Sequence, residues 1–274
     1  MLRQTLDSLA LFSPRFRRVM MRTWYESLVL LDREKQITFM NYGYAELDPV
    51  ENPLPLNDDE EQVNRYAIQL YQHVTAPIDL SGKDVAEIGS GRGGGAAYIS
   101  RNRKPRSMIG IDISKNAVDF CNKHYSSGVL SFSRGDAEHI PLPDDSVDAV
   151  INVESSHCYG TMGRFLAEVR RVLRPGGYFL FTDHRDADQM PILRRQLEET
   201  NLEIIRETDI TANVVRALEL DNDRKQELIR SACPRFLRKE AGEFAALVGT
   251  RAYESFRSGD SCYFSFLLQG RHRV

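Results

Sequence analysis

Asp84-Val85-Ala86-Glu87-Ile88-Gly89-Ser90-Gly91-Arg92-Gly93-Gly94-Gly95 decides how the rest of the chain is read. Val85, Ala86 and Ile88 make a short apolar run that predicts a buried strand, and the glycine cluster ends it. Ala96-Ala97-Tyr98-Ile99 then opens a helix. Strand, glycine turn and helix in this order begin a half-fold that binds its ligand beyond the carboxyl ends of parallel strands. Glycine lets the backbone approach that ligand, and the open N–H groups at the helix start favour an anionic or carboxylate-bearing group.

Two ligands fit the spacing. Gly89-x-Gly91-x-x-Gly94 satisfies a dinucleotide fingerprint, while Glu87-x-Gly89-x-Gly91-x-Gly93 fits a loop for S-adenosylmethionine. In the second case Glu87 is placed to accept from the methionine ammonium, directly or through water. Asp112 lies 23 residues beyond Gly89, where a carboxylate meets the ribose hydroxyls of either ligand.

Composition narrows the classes. A length of 274 residues suits one large α/β domain with additions, or two small ones. The 36 basic and 39 acidic residues leave no electrostatic footprint for nucleic acid. Cys121, Cys158, Cys233 and Cys262 are far apart, which argues against a zinc site and a disulfide framework, so no metal is expected. No apolar run approaches the roughly 20 residues of a membrane span, so no stable membrane insertion is expected. The first residues include Arg3 and Asp7 rather than a signal-peptide stretch, and a cytoplasmic location follows as the expectation.

Outward from the glycine loop, strands and helices alternate, which predicts a mostly parallel sheet. Strands are expected over 84–89, 107–111, 130–133, 147–153, 178–183 and near 203–208, and a helix over 115–125 capped by Ser114. Another helix is expected over 162–173, stopped by Arg174-Pro175-Gly176-Gly177. Residues 210–257 read as helical with a break at Cys233-Pro234, and 261–268 as a final aromatic strand. Upstream, Leu9, Phe12, Phe16, Val19, Trp24 and Leu28 predict amphipathic helices, followed by an aromatic lid over 39–44 and a helix near 61–74. The expected organisation is an N-terminal helical and lid segment (1–75), a nucleotide-binding core (76–209), a helical cap insertion (210–258) and the last core strand (259–274).

Four motifs in order, the glycine loop, Gly135-Asp136-Ala137-Glu138-His139-Ile140-Pro141, Asp145-Ser146-Val147-Asp148-Ala149-Val150 and Leu173-Arg174-Pro175-Gly176-Gly177, resemble those of class I S-adenosylmethionine methyltransferases. Phe39-Met40-Asn41-Tyr42-Gly43-Tyr44, the triple glycine and Glu154-Ser155-Ser156-His157-Cys158-Tyr159 are similar to the phthiotriol and phenolphthiotriol dimycocerosate methyltransferases. The fatty-acid and the cyanobacterial polyketide (microcystin-type) O-methyltransferases resemble the same group. Ser90 stands where many methyltransferase loops carry cysteine. The resemblance implies a Rossmann-like α/β sheet with its last strand antiparallel, and S-adenosylmethionine as cofactor. It assigns the backbone of Gly89, Gly91 and Gly93 and the Glu87 carboxylate to the methionine end. Asp112 with Ile113 falls at the ribose, Asp136 with Ala137 at the adenine, Asn152 near the methionine moiety, and Tyr42 and Tyr44 over the cofactor.

An alcohol acceptor needs its proton removed, and histidine is the usual base near neutral pH. His157 follows the fourth strand, where the donor methyl should point, and is the expected base, with Glu154 or a nearby acid orienting its ring and His184 as runner-up. The expected reaction is O-methylation of a hydroxyl on a hydrophobic, polyketide-like molecule, free or carrier-bound, with oligomeric state open. Carboxyl methylation, C-methylation, a nicotinamide oxidoreductase and a non-enzymatic binder are the rivals.

Overall fold

The structure is a computed structural model that describes residues 37–48 and 54–271. The amphipathic helices expected before residue 32 lie outside the described residues. Helix α1 spans Asp59–Val63 and α2 Arg65–Thr75. The single helix expected here divides at Asn64, whose side-chain amide donates to Glu60 O at 2.9 Å. That bond offers the Glu60 carbonyl a partner outside the helical ladder.

Strand β1 is Asp84–Ile88, α3 Gly94–Asn102, β2 Ser107–Asp112, α4 Lys115–His124, β3 Leu130–Arg134 and β4 Val147–Val153. Ser114 caps α4 by accepting from Ala117 N at 3.3 Å. Helix α5 spans Met162–Val172, and β5 runs from Leu173 to Asp186. The Pro-Gly stop signal therefore ends the helix without delaying the strand. Pairing with β4 jumps from Val147–Leu173 to Ala149–Tyr178, so Arg174 to Gly177 loop out as a bulge. Helix α6 (Met190–Glu198) and β6 (Leu202–Asp209) follow, then α7 (Thr211–Leu220), α8 (Asn222–Ala232), α9 (Arg238–Phe244), α10 (Arg251–Ser258) and β7 (Ser261–Gly270).

The seven strands order as β3-β2-β1-β4-β5-β7-β6. Strands β1 to β5 pair in parallel, while β7 runs antiparallel to both β5 and β6. Alternate residues feed two apolar layers: Ala149, Ile151 and Val153 face one, and Val150, Phe179 and Phe181 the other. Strand order reverses between β1 and β4, which opens a crevice at their carboxyl ends. Residues 37–44 form an extended lid with no strand pairing, whose Thr38 carbonyl accepts from Gly94 N at 3.2 Å.

Candidate active site

The crevice is a cavity walled by the glycine loop (Gly89, Gly91, Gly94), the end of β2 (Asp112, Ile113), the turn after β3 (Asp136, Ala137) and the turn after β4. Two glycines explain how the loop is held. Gly89 has φ +75°, and a Cβ there would stand 2.3 Å from Ser155 Oγ. At Gly95 a Cβ would meet the Tyr71 ring at 2.0 Å, so the bare backbone admits Tyr71 from α2. Tyr71 OH then donates to Glu87 Oε1 at 2.6 Å.

Asp112 is tied to the loop. Its Oδ2 accepts from Gly91 N and its Oδ1 from Ser114 N, each at 2.8 Å. Burial pushes its carboxyl up, against the pull of those amide donors. Asp136 Oδ1 accepts from Glu138 N at 2.9 Å, which shapes the turn carrying Ala137.

Five residues expected at the cofactor do not themselves wall the first cavity. Glu87 is fully buried one layer behind the wall, with Tyr71 between, and burial pushes its carboxyl up to about 8. Gly93 turns away from the cavity, where a Cβ would strike Cys121 and Phe132. Asn152 is fully buried and braces the turn after β4, its amide nitrogen within 2.8 to 2.9 Å of Ile88 O, Ser155 Oγ and Tyr159 OH, which share its two hydrogens. Tyr44 is core, stacked on His73 at 4.5 Å. The Tyr42 ring packs instead on His184 and Phe256, each at 5.5 Å, and lines a second cavity.

Glu154, Ser155, Cys158 and Tyr159 all wall the first cavity, and His157 lies between them on a 3-10 turn, Ser156–Cys158. The acid that holds its ring is Asp183, within β5 and three residues before its end, with His157 Nδ1 and Asp183 Oδ1 2.8 Å apart. Asp183 Oδ2 also accepts from His157 N at 2.9 Å and Ser156 Oγ at 2.6 Å, and Arg185 stands 3.2 Å away. Glu154 has another task. Its Oε2 accepts from Tyr42 N and Tyr263 OH, both at 2.8 Å, which pins the lid to β7. It sits at φ +48°, an unfavourable conformation for a non-glycine residue, and burial pushes its carboxyl up to about 7.

Electrostatics separate the two histidines, whose rings lie 4.4 Å apart. Burial would lower His157, but neighbouring Cys158 and the Asp183 carboxylate outweigh it and hold the imidazole well above its usual range. Asp183 is itself buried, yet the His157 and Arg185 charges hold it well below the carboxylate range. Burial and then the His157 charge press His184 down to about 3, so it is a neutral ring and a poor proton acceptor. His157, Asp183 and His184 bring potential metal-ligand atoms within 4.8 Å of one another. Asp183 is already committed to several donors with a guanidinium beside it, so the cluster is organised as an ion pair rather than a cation cage.

Asp183 and Tyr71 escaped the sequence reading because their partners are 26 and 16 residues away across the fold. One signal for Asp183 was present: a carboxylate in the strand next to the one that leads into the His157 turn.

The strand order and the crevice at its reversal define the class I methyltransferase architecture. A methyltransferase domain model matches residues 86–181. The fatty-acid O-methyltransferase of Mycolicibacterium smegmatis is 38% identical over 231 residues, covering 84% of this chain and 82% of the relative. The phthiotriol/phenolphthiotriol dimycocerosates methyltransferase of Mycobacterium tuberculosis is 37% identical over 242 residues, 88% of each chain. Among solved structures, the cyclase SpnF superposes with a TM-score of 0.72 at 20% identity, covering 92% of this chain and 95% of its own. Geranyl diphosphate C-methyltransferase from Streptomyces coelicolor A3(2) gives 0.64 at 15%, covering 92% and 97%. The chain belongs to the S-adenosylmethionine-dependent methyltransferases, in the group that holds these two mycobacterial enzymes.

The cofactor is accordingly S-adenosylmethionine. The residues present fit it: Asn41 Oδ1, on the cavity wall, and Glu87 Oε2, just behind it, are buried acceptors with no partner among the described residues. A ligand bearing an ammonium and hydroxyl donors supplies what they lack. No helix among the described residues is long and apolar enough to cross a membrane.

Proposed function

We propose that the enzyme methylates a hydroxyl oxygen of a hydrophobic, lipid- or polyketide-like acceptor, with His157 as the base and Asp183 as the residue that positions it. The observation that carries this reading is the pairing of buried Asp183 with half-buried His157, on a turn whose neighbours wall the cofactor cavity. A carboxylate only accepts, so the hydrogen of neutral His157 belongs on Nδ1, and Nε2 is the nitrogen that exchanges a proton. S-adenosylmethionine, when bound, would supply an electrophilic methyl on a sulfonium whose sulfur leaves with the C–S bonding pair as a neutral thioether. His157 Nε2 takes the hydroxyl proton as the oxygen attacks, and Asp183 stabilises the imidazolium that forms. Asp112 with Ile113 would hold the ribose and Asp136 with Ala137 the adenine. Glu87 would take the methionine ammonium at Oε2, directly or through water.

The names of the mycobacterial relatives, which refer to fatty acids and to phthiotriol lipids, support an oily acceptor. The fatty-acid relative also favours a second reading, carboxyl O-methylation, in which the nucleophile is already ionised and no base is needed. Incubation with methyl-labelled cofactor and a panel of long-chain alcohols, hydroxy acids and fatty acids separates the two by mass spectrometry. Methyl ethers that vanish in His157→Ala support the first reading. Methyl esters formed equally well by His157→Ala overturn it in favour of the second.

A further inference from the structure

The second cavity adjoins the first, since Phe39, Met40, Asn41 and Arg92 line both. Its far wall is helix α8, with Leu228, Ile229 and Ala232 as apolar lining and Asp221, Arg224 and Lys225 at one end. Charges there do not balance. Two cations on this wall, Arg224 and Lys225, stand beside one acid of the lining, Asp221. Both Asp221 oxygens are taken by Arg224, at 2.6 Å each. The Lys225 ammonium stands 3.9 Å from Asp221 Oδ2, beyond hydrogen-bond reach, and its one hydrogen bond among the described residues goes to Tyr42 O at 3.3 Å. Its side chain is 12% exposed. A lysine ammonium has three donors, so most of its hydrogen-bonding capacity is unspent in a mostly apolar cavity.

We propose that Lys225 forms an anion subsite that takes the carboxylate of a long-chain acceptor, with the aliphatic chain lying in the second cavity. The subsite is separate from the oxygen that is methylated. Tyr42 stands between them, its carbonyl on Lys225 and its ring on His184, which in turn packs on His157. The inference rests on the proposed hydroxyl methylation and makes the preferred acceptor an amphipathic hydroxy acid, bound by its charged end and methylated at its hydroxyl. Burial lowers the Lys225 ammonium, with Asp221 and Glu154 opposing, and an arriving carboxylate would complete its partners.

The test is binding, independent of turnover. Calorimetry on the full chain saturated with S-adenosylhomocysteine compares a 16-carbon carboxylate with its methyl ester and the matching alcohol. The wild type should bind the carboxylate about tenfold or more tightly than the neutral analogues, the size of one charge-assisted hydrogen bond. Lys225→Met should abolish that preference while retaining the S-adenosylhomocysteine affinity, and Lys225→Arg should restore it. Equal binding of all three by the wild type, no binding of the carboxylate, or a preference that survives in Lys225→Met overturns the proposal. Failure of the methylation reading looks different: the binding preference is intact but hydroxy acids yield no methyl ether.

Discussion

At the scale of single residues, the site turns on one pair, a buried carboxylate against a partly exposed imidazole. Asp183 is fully buried and His157 20% exposed, so their charges interact in a medium that screens little. The raised pKa of His157 has a kinetic consequence. The base must be neutral to accept a proton, so kcat/KM should rise with pH and level off only above the usual histidine value of about 6.5. Asp183→Asn should move that limb to lower pH, because the charge holding the imidazolium is gone. An unmoved limb would remove Asp183 as the positioning residue. Linkage makes a second demand. A raised histidine stabilises the fold fully below about pH 6.5 and loses its contribution as pH climbs through its folded pKa. A lowered aspartate stabilises fully above about pH 3.9 and loses its contribution as pH falls. The pair is therefore worth most between those values, and Asp183→Asn should cost about 3 kcal/mol there. Chemical denaturation at pH 5.5 and at a pH above the kcat/KM limb checks this, and an equal loss at both would contradict it. Asp112→Ala should weaken cofactor affinity by about 1–3 kcal/mol in calorimetry through a lost charge-assisted bond. Unchanged affinity would contradict its place at the ribose.

At the scale of elements, most of what positions the site was legible in the chain. The β1, β2, β3 and β4 boundaries follow from short apolar runs closed by glycine or an acidic residue, and the Ser114 cap marks α4 without tertiary help. What the sequence hid was the division of labour among neighbours. Glu154 sits three residues from His157 in the chain, yet its carboxylate serves the lid and β7, while the His157 partner arrives from β5. Sequence proximity cannot say which way a side chain leaves a turn at positive φ. The bulge at Arg174–Gly177 was missed for a related reason, since Pro-Gly-Gly reads as a stop and only sheet pairing shows that the strand has already begun. The triple glycine serves tertiary packing as well as the ligand loop. Gly94 lies against the lid carbonyl of Thr38 and Gly95 against Tyr71, so the helix start is a docking face as well as a ligand loop. Gly95→Ala should overpack this contact, destabilise the fold by about 1–3 kcal/mol and weaken cofactor binding through the Tyr71–Glu87 bond. Wild-type stability in urea would show that the ring moves aside without cost.

At the scale of the whole molecule, fold and reaction must be argued separately. A cyclase shares this architecture with a TM-score of 0.72, so the sheet alone does not dictate methyl transfer. The assignment to the methyltransferases rests on relatives at 37–38% identity over most of the chain, and the chemistry proposed within that family rests on where β4 and β5 deliver His157 and Asp183. Ligand linkage gives a whole-chain check on the cofactor. S-adenosylhomocysteine at 100 times its Kd should stabilise the fold by about 2.7 kcal/mol, and NADH at the same concentration should not. Stabilisation by NADH alone would return the glycine loop to the dinucleotide reading. The most direct measurement of the central claim is single-turnover methyl transfer to a long-chain hydroxy acid by wild type and His157→Ala, both preloaded with S-adenosylmethionine. The account predicts equal cofactor occupancy and a loss of transfer rate on the order of 10²-fold or more in the variant. Equal rates at equal occupancy would contradict it.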